Sequence, residues 1–208
     1  MDKPKILVVS MVKNEDLYIK RVVENVIDFC DEMIILDNMS TDGTYEILEK
    51  LDKENEKIKL HRIKNFKQSG SFTKPYINTN TFILSVDGDE LYDKKGLVKM
   101  RKDILANKFQ DKWTISGYFL NCTSVDWENN KAEGHMSPPS RACVRLYNFK
   151  AIHTWVQRRQ RMHGGKPRFN RGYNLESRYT MHEHLTWDKA YLRFLHLCFV
   201  QRSSLDTQ

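Results

Sequence analysis

Thr81-Phe82-Ile83-Leu84-Ser85-Val86-Asp87-Gly88-Asp89-Glu90 is an apolar, partly β-branched run that ends abruptly in acid. Such a run lacks the polar alternation of a half-exposed strand and reads as a strand buried on both faces, as parallel strands usually are. Upstream, Ile6 to Val12 and Glu32 to Asp37 are segments of the same kind, and Ile58 to Ile63 is a further candidate. Between them the apolar spacing is helical. Leu17, Ile19, Val22, Val23, Val26, Ile27 and Phe29 mark a helix over Asp16 to Phe29, with Asn14-Glu15-Asp16 available to cap its start. Ser40-Thr41-Asp42-Gly43-Thr44 is a turn with capping residues ahead of a second helix through Tyr45, Ile47, Leu48 and Leu51. Strand and helix in alternation predict an α/β fold with a mostly parallel central sheet, flanked by helices and joined by right-handed crossovers.

Downstream of Asp93 the pattern changes. A helix around Leu97 to Leu105 is followed by strands at Trp113 to Cys122 and Arg141 to Tyr147, a basic loop from Arg158 to Tyr173, and an apolar stretch from Tyr191 to Val200. At 208 residues and 40% hydrophobic, the chain suffices for one core, so residues 1–93 and 94–208 read as an α/β half and a smaller α+β half of a single domain, 1–208. No apolar run reaches the roughly 20 residues of a membrane span, and Met1-Asp2-Lys3-Pro4-Lys5 carries no signal-peptide pattern, which predicts a cytoplasmic protein. Cys30, Cys122, Cys143 and Cys198 lack metal or disulfide-framework spacing and read as free thiols. The net charge of +7 is uneven: from His135 onward, 13 basic residues face 4 acidic ones, leaving the first 134 residues slightly acidic. A basic C-terminal third suits nucleic acid, an anionic acceptor or a diphosphate pocket, and charge alone does not choose.

In an open parallel sheet, ligands bind beyond the carboxyl ends of the strands. The first strand ends near Ser10 to Glu15, the second in Asp37 and the fourth in Asp87-Gly88-Asp89, so acidic groups converge on one rim. Two carboxylates so close repel each other unless a cation offsets them, and a hard divalent ion, Mn²⁺ or Mg²⁺, is the natural counter-charge. The plainer alternative for a bare Asp-x-Asp is an acidic turn; its place at the end of an apolar strand argues against that.

Val9-Ser10-Met11-Val12-Lys13-Asn14-Glu15, then Asp31 to Thr44, then Val86-Asp87-Gly88-Asp89 together resemble the family 2 glycosyltransferases of the GT-A fold. The likeness covers roughly the first half. It implies a nucleotide-binding half over 1–93 and an acceptor-binding half over 94–208, with a UDP-sugar donor and a glycan acceptor. Ser10 and Asp37 would hold the nucleobase and ribose, Asp87 the ribose and Asp89 the metal, with Met11, Asn14, Gly88 and Lys74 completing the nucleotide-sugar site. More loosely, the chain is similar to glycosyltransferase modules of larger multi-domain proteins, those of large chlorella-infecting viruses among them. The polar end, Gln201 to Gln208, is either a terminus or a cut before another domain.

In the second half, Met181-His182-Glu183-His184 looks like the family's His-Glu element, which makes Glu183 the candidate base for the acceptor hydroxyl. On a strand, His182 and His184 would share a face, a spacing that also suits zinc. His196, alone in Phe194-Leu195-His196-Leu197-Cys198, reads as a core histidine, and by resemblance as a metal ligand. Lys67, Arg141, and the pair Arg158-Arg159 could meet phosphate, and Trp155, Tyr173 and Trp187 could stack on a sugar. Two other functions fit less well. A sugar-phosphate nucleotidyltransferase needs a Gly-rich loop after the first strand, where Ser10 to Glu15 has no glycine. A nucleic-acid-binding module would not gather carboxylates on the ligand rim, where they repel a phosphate backbone.

Overall fold

The computed structural model describes residues 3–137, 140–156 and 166–206. In chain order the elements are β1 (Lys5–Val12), α1 (Ile19–Val26), β2 (Glu32–Asp37), α2 (Thr44–Glu54), β3 (Ile58–Arg62), α3 (Ser69–Thr73), β4 (Thr81–Asp87), β5 (Glu90–Tyr92) and α4 (Lys94–Leu105). There follow β6 (Thr114–Asp126), β7 (Lys131–His135), β8 (Ala142–Asn148), β9 (Ile152–Val156), β10 (Lys166–Phe169), β11 (Arg178–Thr180), the single-turn α5 (Met181–His184) and β12 (Arg193–His196). One sheet runs β3-β2-β1-β4-β8-β6-β12-β5, with β7 and β11 also paired to β6; β9 and β10 form a separate hairpin. The first four strands in that order are parallel, and β8 enters antiparallel to β4.

The parallel strands are apolar on both faces because both are covered. Ile6, Val8, Met33, Ile35, Phe82 and Leu84 pack against α1, α2 and α4. Leu7, Val9, Ile34, Leu36 and Ile83 face Phe149, Ile152 and, at the margin, Phe72 of α3 and Trp155. Helix α1 buries all of Ile19, Val22, Val23 and Val26, each contributing roughly 1.5–3 kcal/mol. It is shorter than the expected Asp16 to Phe29. The Tyr18 and Ile19 amides close a turn on the Glu15 carbonyl, at 3.0 and 2.9 Å, and no side chain caps the helix. Asp16, expected to cap, instead accepts from the backbone amide of Ser204 at 2.8 Å.

Register decides what meets at the rim. Val12 stands beside Asp37 across β1 and β2, and Met11 beside Asp87 across β1 and β4. The Asp87-Gly88-Asp89 turn then sends the chain back as β5, which pairs Glu90 with His196 of β12, and β12 in turn pairs His196 with Asn121 of β6. All four cysteines are free thiols. Among the described residues no helix is long and apolar enough to cross a membrane.

Candidate active site

A cavity of about 520 Å³ opens at the carboxyl ends of β1 and β4, with Met11, Asp87, Gly88, Asp89 and His196 in its lining, together with Glu15 and Arg202. Gly88 is required by close approach: a Cβ there would stand 2.8 Å from Cγ of Glu15. Glu15 is itself buried, 7% exposed. Burial first, and then the negative charge of Asp89, push its carboxyl up to about 8, against the opposing pull of Arg202.

Asp89 and His196 face each other, with Oδ2 and Nε2 3.7 Å apart. Which atoms carry protons follows from Asn121. Its amide nitrogen donates to the carbonyls of His135 and Ser140, at 3.2 and 3.3 Å, so its oxygen is left to accept from Nδ1–H of His196 at 3.2 Å. Burial lowers the His196 pKa despite Asp89, so the ring is neutral and Nε2 presents a lone pair toward the carboxylate. Two acceptors aimed at one point fit a divalent cation, since an ion about 2.0–2.2 Å from each ligand can span such a pair. Among the described residues, no group of three His, Cys, Asp or Glu side chains could hold an ion. Such an ion would therefore take its other ligands from substrate oxygens and water, as Mg²⁺ commonly does.

Around this pair the charges are offset by arginines. Arg145, 6% exposed on β8, holds Asp87 at 3.2 Å and also contacts Glu90. Burial carries Glu90 up to about 8 with Arg145 opposing, while Arg145 itself stays protonated because its carboxylate neighbours outweigh burial. Arg202 reaches Asp89 Oδ2 at 3.1 Å and Glu15 Oε1 at 3.4 Å. Asp37 is fully buried, bound by Arg62 Nε at 3.1 Å and by the Ser40 amide. Ser10, paired with Ile35 and Val86 in the sheet, is buried with an unpartnered Oγ. Asn14 has φ 55 and accepts from the Thr41 amide at 2.9 Å, so it joins the β1–α1 and β2–α2 loops and is absent from the cavity lining.

Two expected members lie elsewhere. Lys74 lines a second cavity of about 490 Å³, with Lys67, His153 and Trp155. Met181 to His184 is a helical turn, not a strand, so His182 and His184 do not share a face. Glu183 is exposed on that turn. The turn packs over Tyr118, whose hydroxyl donates to the Leu185 carbonyl at 3.0 Å. His196 instead contacts Phe119, with ring centroids 5.6 Å apart. Glu183 is not among the residues lining the Asp89 cavity. Arg158 and Arg159 lie outside the described residues. Arg145 and Arg202 were not singled out from sequence. The first had one available signal, a lone charge within Ala142-Cys143-Val144-Arg145-Leu146-Tyr147; the second had none.

A parallel-sheet rim carrying Asp-Gly-Asp, with Asp89 facing His196 and a cavity beyond the strand ends, fits the GT-A fold of α/β transferases. Residues 7–180 match the family described as "Glycosyl transferase family 2". The chain belongs to that family. An uncharacterised glycosyltransferase of Rickettsia conorii is 30% identical over 146 residues, covering 70% of this chain and 49% of that one. The SPbeta prophage-derived glycosyltransferase SunS of Bacillus subtilis is 35% identical over 102 residues, covering 49% of this chain and 24% of SunS. The chain thus spans about half the length of the rickettsial relative and about a quarter of SunS. Among solved structures, a mannosyltransferase from Pyrobaculum calidifontis in complex with GDP-Man and Mn²⁺ aligns at TM-score 0.42 and 17% identity, covering 56% of this chain and 36% of that one.

Proposed function

We propose that the chain transfers a sugar from a UDP-sugar to a glycan hydroxyl, with Mn²⁺ or Mg²⁺ bound at Asp89 and His196. The observation that carries this reading is the pair of acceptors, Asp89 Oδ2 and His196 Nε2, aimed at each other across 3.7 Å in the strand-end cavity. A bound divalent ion supplies charge neutralisation for the leaving diphosphate. The protein's own part is placement. Asp37, held by Arg62, and Ser10 are fully buried and absent from the cavity lining, so the imide N–H of uracil reaches Asp37 only if Arg62 yields its place. Asp87, steadied by Arg145, accepts from a ribose hydroxyl, and Gly88 lets Glu15 pack against the turn beneath the donor site. Lys74, Asn14 and Glu183, all absent from the lining of this cavity, are given no role in it.

Calorimetric titration of UDP, with GDP alongside, tests the reading in Mn²⁺ and then in chelator. The wild-type chain should bind UDP more tightly than GDP and only with metal. Asp89→Ala should lower that affinity by at least about tenfold, ~1.4 kcal/mol, with an unchanged melting transition. Metal-dependent UDP binding that survives Asp89→Ala intact would remove Asp89 from the site.

A further inference from the structure

Arg202 is the feature of the cavity that donor and metal binding leave unexplained. Its guanidinium rests on Oδ2 of Asp89, the same oxygen that faces His196, and also on Oε1 of Glu15. The other oxygen of Glu15, Oε2, is buried and unpartnered, so Arg202 satisfies this acidic floor only in part. The backbone behind Arg202 is tied down. Its carbonyl accepts from the Leu17 amide at 3.3 Å, the Ser203 hydroxyl donates to Asp42 at 2.6 Å, and both the amide and hydroxyl of Ser204 donate to Asp16. The Arg202 side chain is nonetheless 44% exposed and lines the cavity. Its backbone is fixed while its side chain borders open cavity.

A divalent ion shared by Asp89 and His196 would lie within a few ångströms of that guanidinium, where like charges repel strongly in a half-buried setting. Displaced from Asp89 but anchored at residues 202–204, the guanidinium stays at the cavity rim. A diphosphate arriving there offers oxygens matching its planar fork. We propose that Arg202 is a donor-binding residue that exchanges partners: it occupies the Asp89 carboxylate when metal and donor are absent, and pairs with the donor's diphosphate when the ion takes Asp89. Resting on the donor-and-metal reading of this cavity, the exchange makes the two ligands bind together more favourably than either does alone.

The test compares the full chain with Arg202→Ala and Arg202→Lys. Binding of Mn²⁺ alone is followed by the electron paramagnetic resonance of the free ion, and binding of UDP, with GDP alongside, by calorimetry in saturating Mn²⁺. Arg202→Ala should bind Mn²⁺ alone about tenfold more tightly and UDP with Mn²⁺ about tenfold more weakly, the scale of one charge-assisted contact. Arg202→Lys keeps the charge and loses the fork, so its Mn²⁺ affinity should stay near wild type while nucleotide binding weakens. The opposite signs are what a merely structural arginine would not produce. Loss or constancy of both affinities in Arg202→Ala overturns the exchange while leaving the metal site standing. Failure of the wild-type chain to take up Mn²⁺ with either nucleotide overturns the donor-site reading as well.

Discussion

Arg145 is buried in a strand, a costly place for a charge, and it persists because Asp87 and Glu90 surround it. Breaking such a pair from one side strands the other charge, at about 3–5 kcal/mol, whereas removing both sides costs far less. Arg145→Met should therefore destabilise the fold by about that amount, and Arg145→Met with Asp87→Asn should recover part of it, as read by urea unfolding. Equal stabilities for the single and double variants would mean that Asp87 is not the stranded partner. The Asp-Gly-Asp turn and Asp37 were legible in the sequence because strand ends there are punctuated by acid. Arg145 and Arg202 were not, since their partners lie far along the chain: Arg145 meets Glu90 from 55 positions away and Arg202 meets Glu15 from 187. For Glu183 the local pattern implied a strand, whereas Met181 to His184 forms a helical turn with Glu183 exposed.

The parallel half followed its apolar periodicity closely, because local pattern and tertiary burial agree there. Strands β5, β7, β9, β10 and β11 went unseen; they are short and are held by cross-strand pairing that no local window contains. Helix α4 was expected around Leu97 to Leu105 and begins at Lys94, because the Asp93 side chain accepts from the Lys95 and Gly96 amides, at 3.0 and 3.2 Å. Gly96 also records how tightly α4 is packed: a Cβ there would fall 2.0 Å from the Tyr191 carbonyl oxygen. Alanine gains about 1 kcal/mol of helix propensity over glycine, but forcing backbone apart costs typically 1–3 kcal/mol or more. Gly96→Ala should thus be net destabilising in chemical denaturation, and a rise in stability would show that the 190–192 segment yields freely.

Acid and base act on the fold in opposite directions. Burial raises both Glu15 and Glu90 to about 8. The folded chain therefore keeps protons that the unfolded chain gives up from its ordinary value of 4.5 upward, so stability is greatest below that value and is lost as pH rises toward 8. Each group contributes at most about 1.4 kcal/mol per pH unit. Against the upward push of partial burial, ion pairs and hydrogen bonds hold Asp31, Glu32, Asp42 and Asp103 below their ordinary range, so their contribution is lost on the acid side. Melting temperatures measured from pH 4 to pH 9 should peak near pH 5 and fall toward pH 8, with a shallower fall in Glu15→Gln; a flat profile in the wild type would contradict the buried acids. The Ser204–Asp16 and Arg202–Glu15 contacts also set an order in time. With 187 positions between Glu15 and Arg202, and elongation at about 5–20 residues per second, roughly 10–40 s pass on the ribosome before the carboxylate floor meets its guanidinium. During that interval Glu15 and Asp89 are without the cation that the finished chain sets between them.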